Sequence, residues 1–442
     1  MLCFLACDDS KGNGGEIDIK KPLLLSSTPS NEEKNVGTGD VVIVLTFDQN
    51  VTLVNPSEIT LNNENIVSAT AAFKELKISV TLEKATQYKL LVPAGKIKGP
   101  TGLLADKIEI NFTTRGSLDE TISKTLCTSN PSSEAQNIYG FLRENFGEKI
   151  ISGAMANVSW NTNEADWIYK HTGKYPALNC LDYVHLYASP ANWINYENTE
   201  VAEKWWANNG LLAAMWHWNV PTSEGNSTYN FYTDKTSFNA ANAVIDGSYE
   251  NNIVKADLNK IADNLLLLKE KNIPIIWRPF HEASGGWFWW GAKGAEPCKK
   301  LWIMMFEIFE AKGLNNLIWV WTSQTNDYEW YPGDDYVDII GCDIYNKNSV
   351  TDIYSMFESI RDDYPNKMLA LSEFGNVSKL SDQWNAGAKW LWMMPWYDYD
   401  RTVNPSSNAF NETTHQHANI SYWQNVLDAE TIITRDEMPD LK

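Results

Sequence analysis

The chain has 442 residues and a mass of 50.1 kDa, of which 43% are hydrophobic and 21% charged, a balance that excludes wholesale disorder and a multi-pass membrane protein. Its 36 basic against 56 acidic residues give a formal net charge of −20, which repels polyphosphates and anionic membranes, so nucleic acid is not an expected partner. The length exceeds one ordinary domain and suits a large barrel joined to one small domain.

Residues 1–21 begin with a short apolar segment that ends in Leu5, Ala6 and Cys7, followed by Asp8, Asp9 and a Gly-rich stretch. The segment is too short to span a bilayer. It has the form of the end of a bacterial lipoprotein leader, with Cys7 as the lipidated residue of a tethered protein. An unprocessed apolar N-terminus is the plain alternative. The two acids after Cys7 resemble a surface-export signal, so an outer-membrane lipoprotein at the cell surface is expected, with the periplasmic face as the other option. Membrane contact is then expected only through that lipid.

Residues 22–115 change character, with short runs rich in Val, Ile and Thr at 40–47, 58–61, 76–82, 87–92 and 107–114, separated by polar turns. Alternation at this spacing predicts an antiparallel β-sandwich. The domain resembles a bacterial Ig-like module, and it lacks the aromatic triad of a carbohydrate-binding module, so a spacer role is expected.

From 116 to 442 apolar strands alternate with helical segments. The predicted strands lie at 149–153, 176–180, 211–217, 273–278, 317–321, 337–345, 368–373 and 391–396, and helical periodicity is clear at 256–271 and 298–312. Eight such units predict an α/β fold of the (β/α)8 barrel type, with its site at the carboxy-terminal ends of the strands. The six Cys, at 3, 7, 127, 180, 298 and 342, contain no C-x-x-C pair and support neither a zinc site nor a disulfide scaffold. Cys180 and Cys342 fall in predicted strands and read as buried thiols.

The most informative stretch is 274–291, PIIWRPFHEASGGWFWWG. An apolar strand is expected to end on Arg278, His281 and Glu282, followed by a Gly pair and aromatic residues suited to a loop that presents flat apolar faces. A second run, 368–375, ends on Glu373 and then Gly375. Two acids on strands four and seven of one barrel can meet across its mouth, and paired carboxyls are what glycoside hydrolysis requires. Such a reaction acts on neutral glycans, for which the 20 Trp and 19 Tyr supply stacking capacity, although any one ring can equally be core.

The segments WRPFHE (277–282), LSEFG (371–375), MWHWN (215–219) and ITRDEMPDL (433–441) together resemble those of glycoside hydrolase family 26, best known for endo-β-1,4-mannanases. The resemblance covers roughly residues 120–442. It implies Glu282 as general acid/base and Glu373 as nucleophile of a retaining reaction. His281 stands where most of the wider clan has Asn, and it would bond the sugar beside the scissile linkage. His217 matches a substrate-contacting histidine, Tyr345 a tyrosine that touches the nucleophile, and Trp287 and Trp396 aromatic subsite walls. Each of these has a plain structural alternative, as a satisfied core histidine or as packing at the barrel rim.

Arg278 would be a supporting cation beneath the acids, keeping Glu373 ionised while the apolar loop keeps Glu282 protonated. Asp343 lies nearby without a defined role. Ligation of a metal by His217, His281, Glu282 and Asp343 is conceivable from residue types alone, but two acids suffice, and no metal or cofactor is expected. The expected activity is that of a monomeric endo-β-1,4-mannanase acting on mannan, glucomannan or galactomannan. The alternatives are a family relative that cuts β-1,3-xylan or mixed-linkage β-glucan, and a surface glycan-binding protein that no longer hydrolyses.

Overall fold

The computed structural model describes residues 20–66, 68–114, 121–157, 160–186 and 194–442. The leader with Cys7 lies outside the described residues. The chain divides into two compact units, Met1–Glu120 and Thr121–Lys442.

In the first unit, Gly39–Phe47 pairs antiparallel with Glu75–Leu82, and Gln87–Val92 pairs antiparallel with Ile108–Thr114 in a second sheet. Alternation decides which side chains face inward: Ile43, Leu45 and Phe47 from one sheet meet Leu90, Ile110 and Phe112 from the other in a single core. This is the expected Ig-like sandwich. The run predicted at 58–61 is cut to Thr60–Leu61, because Glu58, with φ of 75°, takes a left-handed turn there. Of the unit's aromatic rings among the described residues, Phe73 alone is exposed.

The second unit is a closed parallel barrel. Its strands are β1 (Ile150–Met155), β2 (Leu178–Asp182), β3 (Leu211–Met215), β4 (Ile275–Arg278), β5 (Leu317–Thr322), β6 (Ile339–Tyr345), β7 (Met368–Gly375) and β8 (Trp392–Pro395). Each pairs in parallel with the next, and β8 returns to β1 through Ile151 and Trp392, so no edge is left open. All six positions of β1, and likewise of β5, are buried. Strands covered on both faces are mostly apolar, which is why they read as near-continuous runs rather than as alternation.

Helices cover the outside. Tyr249–Lys269 starts where the Ser248 hydroxyl accepts the Asn251 N–H, seven residues before the apolar period becomes visible. It buries Val254, Leu258, Ile261, Leu265 and Leu268, at steps of four and three. Ala295–Ala311 packs in the same way through Leu301, Trp302, Met305 and Phe309. Cys127, Cys180, Cys298 and Cys342 are free thiols, and Cys180 and Cys342 are fully buried. Among the described residues no helix is long and apolar enough to cross a membrane.

One irregularity shapes the mouth of the barrel. Between β6 and β7 the register slips, so that Cys342 faces Leu371 while Asp343 faces Glu373, leaving Ser372 as the extra residue. The Ser372 hydroxyl fills the space beside Gly341 that a side chain there would occupy, and it donates to Asp343 Oδ1 at 2.7 Å. A bulge of this kind re-aims side chains. Here it sets Asp343 and Glu373 side by side.

Candidate active site

Strand β4 ends at Arg278 because Pro279 has no N–H to continue the ladder. Glu282 therefore does not close the strand, as the sequence suggested; it stands four residues further on. Phe280 and Glu282 both adopt left-handed backbone, with φ of 50° and 52°. Such geometry is unfavourable for a residue with a side chain and persists only where its surroundings impose it.

The following loop does so. The Trp290 indole donates to the His281 carbonyl at 3.0 Å, the Trp289 indole donates to the Trp218 carbonyl at 2.8 Å, and Gly291 lies so close to the Ala283 carbonyl that any Cβ would collide with it. Phe288, Trp289 and Trp290 are accordingly buried, and of these four aromatic residues only Trp287, 43% exposed, presents a face to solvent. The expectation of an aromatic platform is corrected on this point: three of the rings are the foundation of the turn that aims Glu282.

Arg278, the last residue of β4 and only 3% exposed, holds two carboxylates from β6 and β7. Its Nη2 donates to Glu373 Oε2 at 2.6 Å, and its Nη1 donates to Asp343 Oδ2 at 2.9 Å and to Oδ1 at 3.1 Å. The Tyr345 hydroxyl donates to the other Glu373 oxygen, Oε1, at 2.6 Å. Both Glu373 oxygens are thus met by donors, which fixes the carboxyl in place. Burial beside Glu373 pushes the Tyr345 hydroxyl well above its usual range, so it remains a donor.

One carboxylate oxygen each from Glu282, Asp343 and Glu373 lie within 4.8 Å of one another. Three carboxyls at such range need a positive charge, and the Arg278 guanidinium supplies it. Glu282 is the acid that this cation does not touch. Burial, then Asp343 and Glu373, push its carboxyl up to about 8, while the Trp287 indole N–H, 2.9 Å from Oε2, and Arg278 work against that rise. Asp343 is likewise raised, to about 7, by full burial, with Arg278 opposing and Glu373 adding to the rise. The two glutamates differ in environment: Glu282 is raised and stands clear of the cation, whereas Glu373 meets Arg278 and Tyr345 with its two oxygens.

His217 and His281 meet edge to face at 4.6 Å beside the acids. Burial, with His217 and Arg278 adding, keeps His281 well below the usual imidazole range and therefore neutral, and its buried Nδ1 has no hydrogen-bond partner among the described residues. Trp396, one residue past β8, is half-buried, and its ring lies 5.8 Å from that of His217. The structure thus brings together Arg278, Glu282, Asp343, Tyr345 and Glu373 in one constellation, with His217, His281, Trp287 and Trp396 around it.

Sequence reasoning missed several neighbours. Phe231 lies 5.0 Å from His217, and Tyr232 stacks on Phe288 at 5.6 Å; both sit in a Ser-, Thr- and Asn-rich stretch that reads only as loop. Thr322, at the end of β5, lies 3.2 Å from Arg278 Nη1. Asp182, fully buried at the tip of β2, was hidden because the predicted strand stopped two residues short of it.

A closed parallel barrel whose carboxy-terminal rim sets a protonated carboxyl against a cation-bound carboxylate is built as a glycoside hydrolase. Residues 127–422 match the model of glycosyl hydrolase family 26, and the chain belongs to that family; residues 18–114 match that of a bacterial Ig-like domain. A mannan endo-1,4-β-mannosidase of Thermothelomyces thermophilus is 36% identical over 288 residues, 63% of this chain and 58% of that protein. Mannan endo-1,4-β-mannosidase A of a Piromyces species is 33% identical over 328 residues, 72% of this chain and 51% of its own length. The chain thus spans little more than half the length of these relatives. The solved family 26 domain of an endo-β-mannanase/endo-β-glucanase from Prevotella bryantii is similar at 37% identity and a TM-score of 0.65, covering 72% of this chain and 99% of the solved one.

Proposed function

We propose that the protein is an endo-acting, retaining β-1,4-mannanase, with Glu373 as nucleophile and Glu282 as acid/base. The observation that carries this reading is the separation of the two carboxyls: their oxygens lie within 4.8 Å of one another, on the short side that suits direct attack by one of them rather than a water seated between sugar and base. Retaining enzymes hold their carboxyls about 5–5.5 Å apart, whereas inverting ones need about 6.5–9.5 Å. Glu373 attacks the anomeric carbon while Glu282 protonates the departing glycosidic oxygen. Once the glycosyl-enzyme forms, Glu373 has lost its charge, so one cause of the raised Glu282 carboxyl disappears, and Glu282 becomes the base that activates water.

The mannan preference is supported by the names of the relatives, and the aromatic faces of Trp287 and Trp396 suit stacking on pyranose rings. A monomer is the proposed working unit. Leu5, Ala6 and Cys7 before paired acids support a lipid on Cys7 that tethers the enzyme at the bacterial outer membrane, facing outward. The Ig-like unit would act as a spacer between that anchor and the barrel.

A panel of soluble glycans tests the substrate. Reducing ends are expected from glucomannan and galactomannan, and internal cuts should drop the viscosity early. Release from lichenan or β-1,3-xylan instead would reassign the sugar, and binding without release from any of them would make the protein a glycan-binding module.

A subtler prediction concerns Trp287. Its indole N–H stabilises the ionised form of Glu282, so Trp287→Phe should raise that acid's pKa. Glu282 must be protonated for the first step, and the alkaline limb of kcat/KM should therefore move to higher pH, by up to about one unit for a bond worth about 1 kcal/mol. KM should rise as well, because the stacking face shrinks. A limb that stays fixed or moves down would contradict the assignment.

A further inference from the structure

We propose that Asp182 is a positioning residue for the reaction, fixing the ring of His217 so that Nε2 faces the bound sugar. This deepens the mannanase reading and rests on it, since it takes His217 to touch substrate. His217 lies two residues beyond the end of β3, in backbone that no ladder bond holds in place. Asp182 holds it instead, from the neighbouring strand β2. Asp182 Oδ1 accepts the His217 backbone N–H at 3.2 Å, and Oδ2 lies 2.6 Å from His217 Nδ1. One carboxylate thus grips both the main chain and the ring.

The chemistry of that grip selects a tautomer. An ionised carboxylate only accepts hydrogen bonds, so the nitrogen at 2.6 Å must carry the proton. Nδ1 is thereby committed to Asp182, and Nε2 is the nitrogen left for a ligand. The Asp182 side chain is wholly buried while that of His217 keeps 11% exposure, so the carboxylate lies behind the ring and the ring forms part of the cleft surface. Phe231, Phe288, His281 and Trp396 pack around the imidazole and leave it little rotational freedom. A histidine whose second nitrogen is held by a carboxylate recurs wherever an imidazole must present one defined face, in hydrolase triads and behind metal ligands.

Asparagine in place of Asp182 keeps the size but not the grip. It offers one acceptor and one NH2 donor, whereas both His217 groups are donors. Either the backbone N–H faces another donor, or the ring takes its proton on Nε2 and turns an N–H toward the sugar.

Wild type, Asp182→Asn, His217→Ala and the double variant are compared on glucomannan, with thermal unfolding of each. Asp182→Asn is expected to lower kcat/KM by about 10- to 100-fold, as for other residues that orient a functional imidazole. The double variant should be no slower than His217→Ala alone, because without the ring Asp182 has nothing to aim. A carboxylate that merely supports the fold would instead lower activity by a factor that multiplies with the His217→Ala loss, and that result, or an Asp182→Asn rate within about twofold of wild type, overturns the proposal. Histidine 15N NMR of the wild type decides the matter even where Asp182→Asn does not fold. The His217 signal, assigned by its loss in His217→Ala, should show Nδ1 as the nitrogen bearing the proton, and a ring protonated on Nε2 alone overturns the proposal. A wild type that releases nothing from glucomannan defeats the mannanase reading, and the NMR result still judges the grip of Asp182.

Discussion

Replacement of Glu373 by alanine is expected to lower kcat/KM on glucomannan by roughly 10⁴- to 10⁶-fold, the scale on which removal of an enzyme nucleophile is felt. The fold should survive. Arg278 keeps Asp343 as an ionic partner through two contacts at 2.9 and 3.1 Å, so the substitution does not strand a buried cation. What remains is a small space lined by the Arg278 guanidinium and the Tyr345 hydroxyl, both of which previously met Glu373. A small anion should be drawn into it. Added azide is therefore expected to restore turnover by attacking the anomeric carbon from the face that Glu373 used, and the product should be an α-glycosyl azide, formed with one inversion. A variant that keeps more than about a tenth of wild-type kcat/KM would remove Glu373 from the nucleophile's role. So would a β-configured azide product.

The parts of this site that could be read from the sequence are those governed by burial. All eight barrel strands announced themselves, because a parallel strand covered on both faces is apolar along most of its length. Where each strand stops depends instead on local backbone chemistry. Pro279 ends β4 before the acid, and the extra residue Ser372 bends β7 so that Asp343 and Glu373 share a level. Neither event changes the hydrophobic pattern, so the pattern placed Glu282 on a strand tip when it rides on a left-handed turn. The aromatic loop was misjudged for a related reason: composition says that Trp287 to Trp290 are large and flat, but not that three of them are buried beneath the turn. Asp182 escaped because its role needs a partner on another strand, and nothing within the sequence of β2 points to His217. Asp343, which the sequence left without a role, emerges as the second carboxylate on Arg278, fixing the guanidinium against which Glu373 is held.

Replacement of Glu282 by alanine should divide the reaction into its two halves. On glucomannan the leaving sugar needs a proton, and the loss is expected to be about 10²- to 10⁴-fold, the usual contribution of general acid catalysis. On an aryl β-mannobioside with a strongly acidic phenol, departure needs no proton, so the glycosyl-enzyme should form at nearly the wild-type rate. The second step then lacks its base. The intermediate should accumulate, which appears as a burst of phenol followed by a slow steady state with a lowered KM. The pH profile gives an independent check. In the wild type, burial and the charges of Asp343 and Glu373 hold the Glu282 carboxyl at about 8, so the reactive protonated form persists through neutrality and is lost as the pH rises through that value. The alkaline limb near that pH should be present in the wild type and absent from Glu282→Ala. Azide should accelerate the variant by attacking the glycosyl-enzyme, which now carries the sugar in the α configuration, and the expected product is a β-glycosyl azide, opposite in configuration to that from the Glu373 variant. Equal losses on the activated and unactivated substrates, with no burst, would show that Glu282 does not deliver the proton.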